Sequence, residues 1–247
     1  MEKIIEKDSQ INWLDERYYL IKDQYYPSAT FILGSYPKGP AFAEFLKMAG
    51  QQAKYIADKA AEAGTRVHKA IEYLSIGMEI LWDDQIHNEA EWSGICKFKE
   101  FYDTHKVKVI ATEVIVYSEK YKYAGTIDLI CEINGETWLI DHKFAKGIYN
   151  TGWLQLAAYK SAWQEMGNKP IDRMGILWLK ALTRGPAKDK IQGAGWQLKE
   201  PVKNYEQLFS IFISTLNIHN FENPKCKPKN RIYPNKLNLK NDEKTIN

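Results

Sequence analysis

The feature that most constrains this chain is Asn134-Gly135, set between the apolar arms of "YAGTIDLICEINGETWLIDHKF", residues 123–144. Asn-Gly between such runs is the strongest short-range signal for a β-hairpin closed by a two-residue type I′ turn. If that turn forms, residues whose numbers sum to 269 stand opposite one another, and Asp128 and Asp141 meet that condition. Opposed side chains in an antiparallel pair have Cβ atoms about 5 Å apart, which destabilises like charges unless something neutralises them. The period of two puts Lys143 on the face of Asp141 and sends Ile140 and His142 to the other face, with Ile127, Leu129, Cys131 and Trp138. An Asp and a Lys two apart on an exposed strand form a solvated ion pair of little value. The run around Asp141 is apolar on both sides, however, as in a strand covered on both faces, where a charge needs a partner or a metal.

Length and composition set the frame around this hairpin. At 247 residues, the default is one α/β domain with decorations. A composition that is 45% hydrophobic and 26% charged, without an apolar run of membrane-spanning length, is that of a soluble globular protein with no membrane partner. The opening "MEKIIEKDSQ" lacks the apolar segment of a secretory signal, so an intracellular, cytoplasmic protein is expected. Cys96, Cys131 and Cys226 are widely spaced, odd in number and share no ligand spacing, which supports neither a disulfide framework nor a zinc or iron–sulfur site. The net charge of +3 is unevenly spread. Residues 225–247 hold seven basic and two acidic residues, against 27 basic and 29 acidic before them. This Pro- and Asn-rich segment, with Lys225, Lys227, Lys229 and Arg231, reads as an extended basic tail, either solubilising or in contact with nucleic acid.

Periodicity organises the rest. "YYPSATFILGSYPKGP" reads as a short extended segment broken by prolines. Residues 41–63 carry apolar side chains at helical spacing; Gly64 ends that helix and Thr65 caps a second one holding Val67, His68, Ile71 and Leu74. A third helix covers residues 89–104. "VKVIATEVIVYS" and the two hairpin arms are strands, and a helix with Thr151 as its cap spans "TGWLQLAAYKSAWQEM". "MGILWLK" is a buried strand, "GWQLKE" a further one, and "YEQLFSIFISTLNIHNF" a final amphipathic helix. This order predicts an α/β fold in which helices flank a mixed sheet.

Three further features join the aspartates and the lysine. "GTRVHKAIE" places His68 and Glu72 on one helical face, within reach of a shared metal. Glu113 interrupts the apolar "ATEVIVYS", as a site edge or as an outward-facing polar residue. "QLAAY" places Gln155 and Tyr159 on one face of the helix after the hairpin. Taken in order, "GTRVH", Glu113, "GTID", "DHK" and "QLAAY" resemble the G-x-x-x-H, Glu, G-x-x-D, D/E-x-K and Q-x-x-x-Y elements of the PD-(D/E)XK nuclease superfamily in its RecB-like branch. The resemblance spans residues 27–180, and "PSATFILGSYPKG" is similar to the lead-in of stand-alone phage and mitochondrial-genome-maintenance-type exonucleases. The chain lacks the four cysteines of the branch's iron–sulfur members and any phosphate loop of its helicase-linked members.

The resemblance implies a restriction-endonuclease-like mixed sheet over residues 1–224, with an N-terminal helical cover, followed by the basic tail. It implies a Mg²⁺-dependent, or Mn²⁺-dependent, deoxyribonuclease digesting DNA from a free end in processing, recombination or repair, with recombination or replication proteins as possible partners. Asp128, Asp141 and the backbone carbonyl of His142 would be the metal ligands, with His68 or Glu113 beside them. Lys143 would position water and offset transition-state charge, while Gln155 and Tyr159 would hold a neighbouring phosphate or orient Lys143. In the cover, Tyr25, Tyr26, Tyr36 and Lys38 would meet bases and phosphates. The alternatives are a structure-specific endonuclease on the same site, a non-catalytic nucleic-acid-binding subunit on this fold, and an unrelated α/β protein.

Overall fold

The computed structural model describes residues 10–13, 16–179 and 195–224. The basic tail, with Lys225, Lys227, Lys229 and Arg231, lies outside the described residues, as does Cys226. The Asn-Gly hairpin is present: β5 (Tyr123–Ile133) and β6 (Glu136–Lys143) pair from Ile133↔Glu136 to Leu129↔Ile140, the register in which residue numbers sum to 269. Asn134 and Gly135 have φ of 52° and 83°, the sign a type I′ turn requires at both positions.

This hairpin is the middle of a five-stranded sheet with β4 (Lys108–Ser118), β7 (Arg173–Trp178) and β8 (Gln197–Lys199), in the order β4-β5-β6-β7-β8. Only β6 and β7 run parallel, and α5 (Asn150–Glu165) is the helix of their crossover. Helices cover both faces. On one, Leu154, Leu156, Ala157 and Ala158 of α5 and Leu208, Phe212 and Leu216 of α6 (Tyr205–Glu222) pack with Val116, Ile130, Leu139 and Ile176. On the other, Val67, Ala70 and Ile71 of α3 (Ala53–Ser75) and Ile95, Phe98 and Phe101 of α4 (Glu89–His105) pack with Leu129, Cys131, Trp138 and Ile140. Burial on both faces accounts for the unbroken apolar run in β6. Among the described residues, no helix is long and apolar enough to cross a membrane.

Several boundaries differ from the periodicity reading. The helix break falls at Gly50, not Gly64: α2 (Pro40–Ala49) stops at Gly50, where φ is +52°, and α3 runs straight through Gly64 and Thr65. Thr65 is no cap, because its hydroxyl bonds back to the carbonyl of Ala61. Thr151 likewise lies inside α5, whose N-cap is Tyr149. Ahead of the helices, β1 (Gln10–Trp13), β2 (Glu16–Ile21) and β3 (Gln24–Pro27) form an antiparallel sheet that the reading missed, and α1 (Ala29–Ile32) follows, capped by Ser28. Tyr19, Ile21 and Tyr26 pack that sheet on Ile115, Tyr117 and Ala124 of β4 and β5.

Ile127 departs from its expected face, packing with the α5 side instead of with Leu129 and Cys131. The alternation is interrupted at Asp128. There β4 pairs at Thr112↔Leu129 and Val114↔Ile127 but not between, and Glu113, the facing residue, has φ of +52°. A non-glycine residue in that region inside a strand is costly and marks a constrained place.

Candidate active site

The hairpin ladder ends at Leu129↔Ile140, one step short of the two aspartates. Instead of a backbone partner, the N–H of His142 donates to Asp128 Oδ2 at 2.8 Å. The carboxylate therefore sits at the seam between the two faces of the sheet. From the α3 side, His68 brings Nδ1 to 3.5 Å from the same oxygen, and His142 Nδ1 is 4.0 Å away. On the α5 side, the Lys143 ammonium lies 2.8 Å from both oxygens of Asp141. Only Oδ1 accepts a well-directed hydrogen bond, and the buried Oδ2 has none among the described residues. Lys143 reaches Gln155 Oε1 at 3.5 Å, and Gln155 Nε2 donates to the Tyr159 hydroxyl at 2.9 Å.

Burial and charge set the protonation of this group. Asp141 is 2% exposed, and burial, reinforced by Asp128 and opposed by Lys143, pushes its pKa up to about 6. Burial also acts on Asp128, but His68, His142, Lys143 and the His142 N–H outweigh it, so this carboxyl stays below the usual range. Burial works against the charge of Lys143 as well, yet the two carboxylates hold its pKa above the ordinary lysine value. Burial takes His142 down to about 4, keeping its ring neutral at physiological pH, and it raises the Tyr159 phenol so that it keeps its proton.

Residues beyond the proposed ligands build the walls. A Cβ at Gly125, the glycine of "GTID", would lie 2.1 Å from Cε1 of Tyr159, so the ring of Tyr159 rests on bare backbone there. The Thr112 hydroxyl donates to the carbonyl of Asp128 at 2.8 Å, and Tyr19 and Thr126 share a hydrogen bond of 2.8 Å. Behind His68, Arg66 holds the 1%-exposed carboxylate of Glu91 through bonds of 3.0 and 2.6 Å, while Asn88 and Glu91 complete a capping box on α4. This clamp fixes α3 against α4 two residues from the imidazole.

The residues singled out from sequence are distributed as follows. His68, Asp128, Asp141, His142, Lys143, Gln155 and Tyr159 converge, drawn from α3, β5, β6 and α5. Among the described residues, the group whose ligand atoms lie close enough for one cation is His68, Asp128 and His142, all within 4.8 Å of one another. It uses the His142 side chain and does not include Glu113, Asp141 or Glu72. Glu113 stands beside Asp128 in the β4 register, and Glu72 pairs with Lys69 at 2.7 Å. Of the residues assigned to the cover, Tyr26 is buried against Tyr117, Tyr36 is half-buried against the core, and the Lys38 ammonium lies over the Phe42 ring at 4.3 Å. Tyr25 is exposed. No protein-family model matches the chain, and no curated protein matches it.

Proposed function

We propose that the chain is a metal-dependent deoxyribonuclease on a restriction-endonuclease-like fold of the PD-(D/E)XK type, digesting DNA from a free end. The observation that carries this reading is the meeting of Asp128 with His68 and of Asp141 with Lys143 and Gln155 at one end of the hairpin, where the ladder stops short of both carboxylates. The donor set fits a divalent cation. Asp128 and Asp141 are hard oxygen donors, and the buried Asp141 Oδ2 has an unused acceptor. Asp128, Asp141 and the His142 carbonyl, with His68 beside them, would hold Mg²⁺ or Mn²⁺. Such an ion polarises a scissile phosphate and lowers the pKa of a bound water.

The chain's own groups do the rest. The Lys143 ammonium, held charged by Asp141, offsets negative charge that develops on the phosphoryl oxygens. Gln155, through Lys143 and Tyr159, fixes where that ammonium points. The Tyr159 hydroxyl accepts from Gln155 and keeps its own proton to donate to a neighbouring phosphate oxygen. Exposed Tyr25 offers a ring for a base. By analogy with the superfamily, the products carry a 5′-phosphate and a 3′-hydroxyl.

The test is degradation of linear DNA by the purified chain in Mg²⁺ or Mn²⁺, with and without chelator. Cleavage that appears with the cation and disappears with the chelator is expected. DNA binding without cleavage under every cation would leave a non-catalytic binding subunit as the better reading.

A further inference from the structure

His142 enters the nuclease reading only through its backbone carbonyl, yet its side chain has no other evident employment. The ring is 2% exposed, with the rings of Phe98 and His68 at centroid distances of 5.3 and 5.9 Å. Among the described residues, Nε2 has no hydrogen-bond partner, and Nδ1 has only Asp128 Oδ2 at 4.0 Å, beyond hydrogen-bond range. A cation shared with Asp128 would engage Nδ1, the ring nitrogen 4.0 Å from that carboxylate.

The spacing suits one ion. With metal–ligand bonds of about 2.1 Å, two donor atoms on the same ion lie about 3.0 to 4.2 Å apart, from the right-angled to the opposite arrangement. The two separations from Asp128 Oδ2, 3.5 Å to His68 Nδ1 and 4.0 Å to His142 Nδ1, fall within that range, and all three ligand atoms lie within 4.8 Å of one another. Two imidazoles and one carboxylate form a nitrogen-rich set. Mg²⁺ prefers oxygen donors and gives up water reluctantly, while first-row transition cations bind imidazole readily.

We propose that His68, Asp128 and the imidazole of His142 form a cation site that takes Mn²⁺ or Co²⁺ ahead of Mg²⁺. The inference rests on the same site as the nuclease reading and names the class of metal it uses.

Calorimetric titration of the metal-free full chain with Mg²⁺, Mn²⁺ and Co²⁺ tests it without reference to activity. Mn²⁺ and Co²⁺ should bind at least about tenfold more tightly than Mg²⁺, and His142→Ala should remove most of that preference, weakening Co²⁺ by about tenfold or more and Mg²⁺ by less than about twofold. Because the ring is buried, His142→Asn provides a second variant. The visible spectrum of Co²⁺ on the unaltered chain gives an independent sign of nitrogen ligands. Equal affinities for Mg²⁺, Mn²⁺ and Co²⁺ on the unaltered chain, or an unchanged Co²⁺ affinity and spectrum in a folded His142 variant, would overturn the inference. The two readings fail separately. Equal affinities with Mg²⁺-supported DNA cleavage sink the nitrogen-rich site alone, whereas the expected preference without cleavage under any cation sinks the nuclease alone.

Discussion

At the scale of single residues, the two aspartates have opposite electrostatic fates although they occupy facing positions. Asp128 is held below the ordinary carboxylate range and Asp141 is pushed up to about 6. A carboxyl with a raised pKa in the fold contributes stability that is complete below its unfolded value, near 4, and is lost as pH rises through about 6. In the metal-free chain, Asp141→Asn should therefore gain stability relative to the unaltered protein as pH rises from 4 to 7. A shift of about two units corresponds to about 3 kcal/mol at most, several degrees in Tm for a chain of this size. Thermal unfolding across that pH range measures it, and parallel curves for the two proteins would remove the argument. Lys143 makes a different prediction. An ammonium is not a ligand, so on the nuclease reading Lys143→Ala should lower turnover by about a hundredfold or more while shifting cation affinity only slightly, because it would lose transition-state charge stabilisation. A collapse of metal binding in that variant, seen by calorimetry, would make Lys143 a structural residue.

At the scale of elements, β5 and α5 meet where Tyr159 lies on Gly125. A methyl group placed 2.1 Å from a ring carbon cannot be absorbed without moving the ring or the strand. Gly125→Ala should cost about 1 to 3 kcal/mol by overpacking. The penalty should shrink to less than about half in a Tyr159→Ala background, the signature of direct coupling in a double-mutant cycle followed by denaturant unfolding. Elements also show which parts of the fold were legible in the sequence. The hairpin, its register and the helices over β4 to β7 were readable because each has a local signature: Asn-Gly at the turn and apolar periodicity along the arms. The β2–β3 turn was missed because Lys22-Asp23, with φ of 46° and 63°, makes the same kind of connection without asparagine or glycine. Gly64 misled because glycine is tolerated inside a helix, while Gly50 adopts the positive φ that ends one. The residues that meet at the candidate site were legible by type and order, but the turning of Asp128 towards His68 was not. It depends on Glu113 and the missing ladder pair, a tertiary event that interrupts the period of two.

At the scale of the whole molecule, the question is how a strand of DNA would reach the carboxylates. The segment expected to cover the site is held unevenly. In residues 42–62 Ala53 alone is buried, with Phe42, Leu46, Met48 and Tyr55 exposed, whereas α3 from Val67 onward is part of the core. The exonuclease reading requires a terminus to be threaded past this region. Linear and covalently closed circular DNA, single- and double-stranded, should separate cleanly in an assay with the active cation, the linear molecules being lost and the circles persisting. Circles cut at a comparable rate would establish endonuclease action and leave the metal-site assignment intact.

The hairpin also has a consequence for the order in which the chain assembles. A hairpin that zips outward from Asn134-Gly135 forms its pairs from Ile133↔Glu136 to Leu129↔Ile140 before Asp128 and Asp141 approach. The crossover through α5 and the pairing of β7 close a longer loop and come later still. The electrostatic conflict between the carboxylates is thus deferred until most of the favourable contacts exist, and it speeds unfolding more than it slows folding. The chain can therefore carry a strained, charge-dense end on its central hairpin without slowing the formation of the hairpin itself.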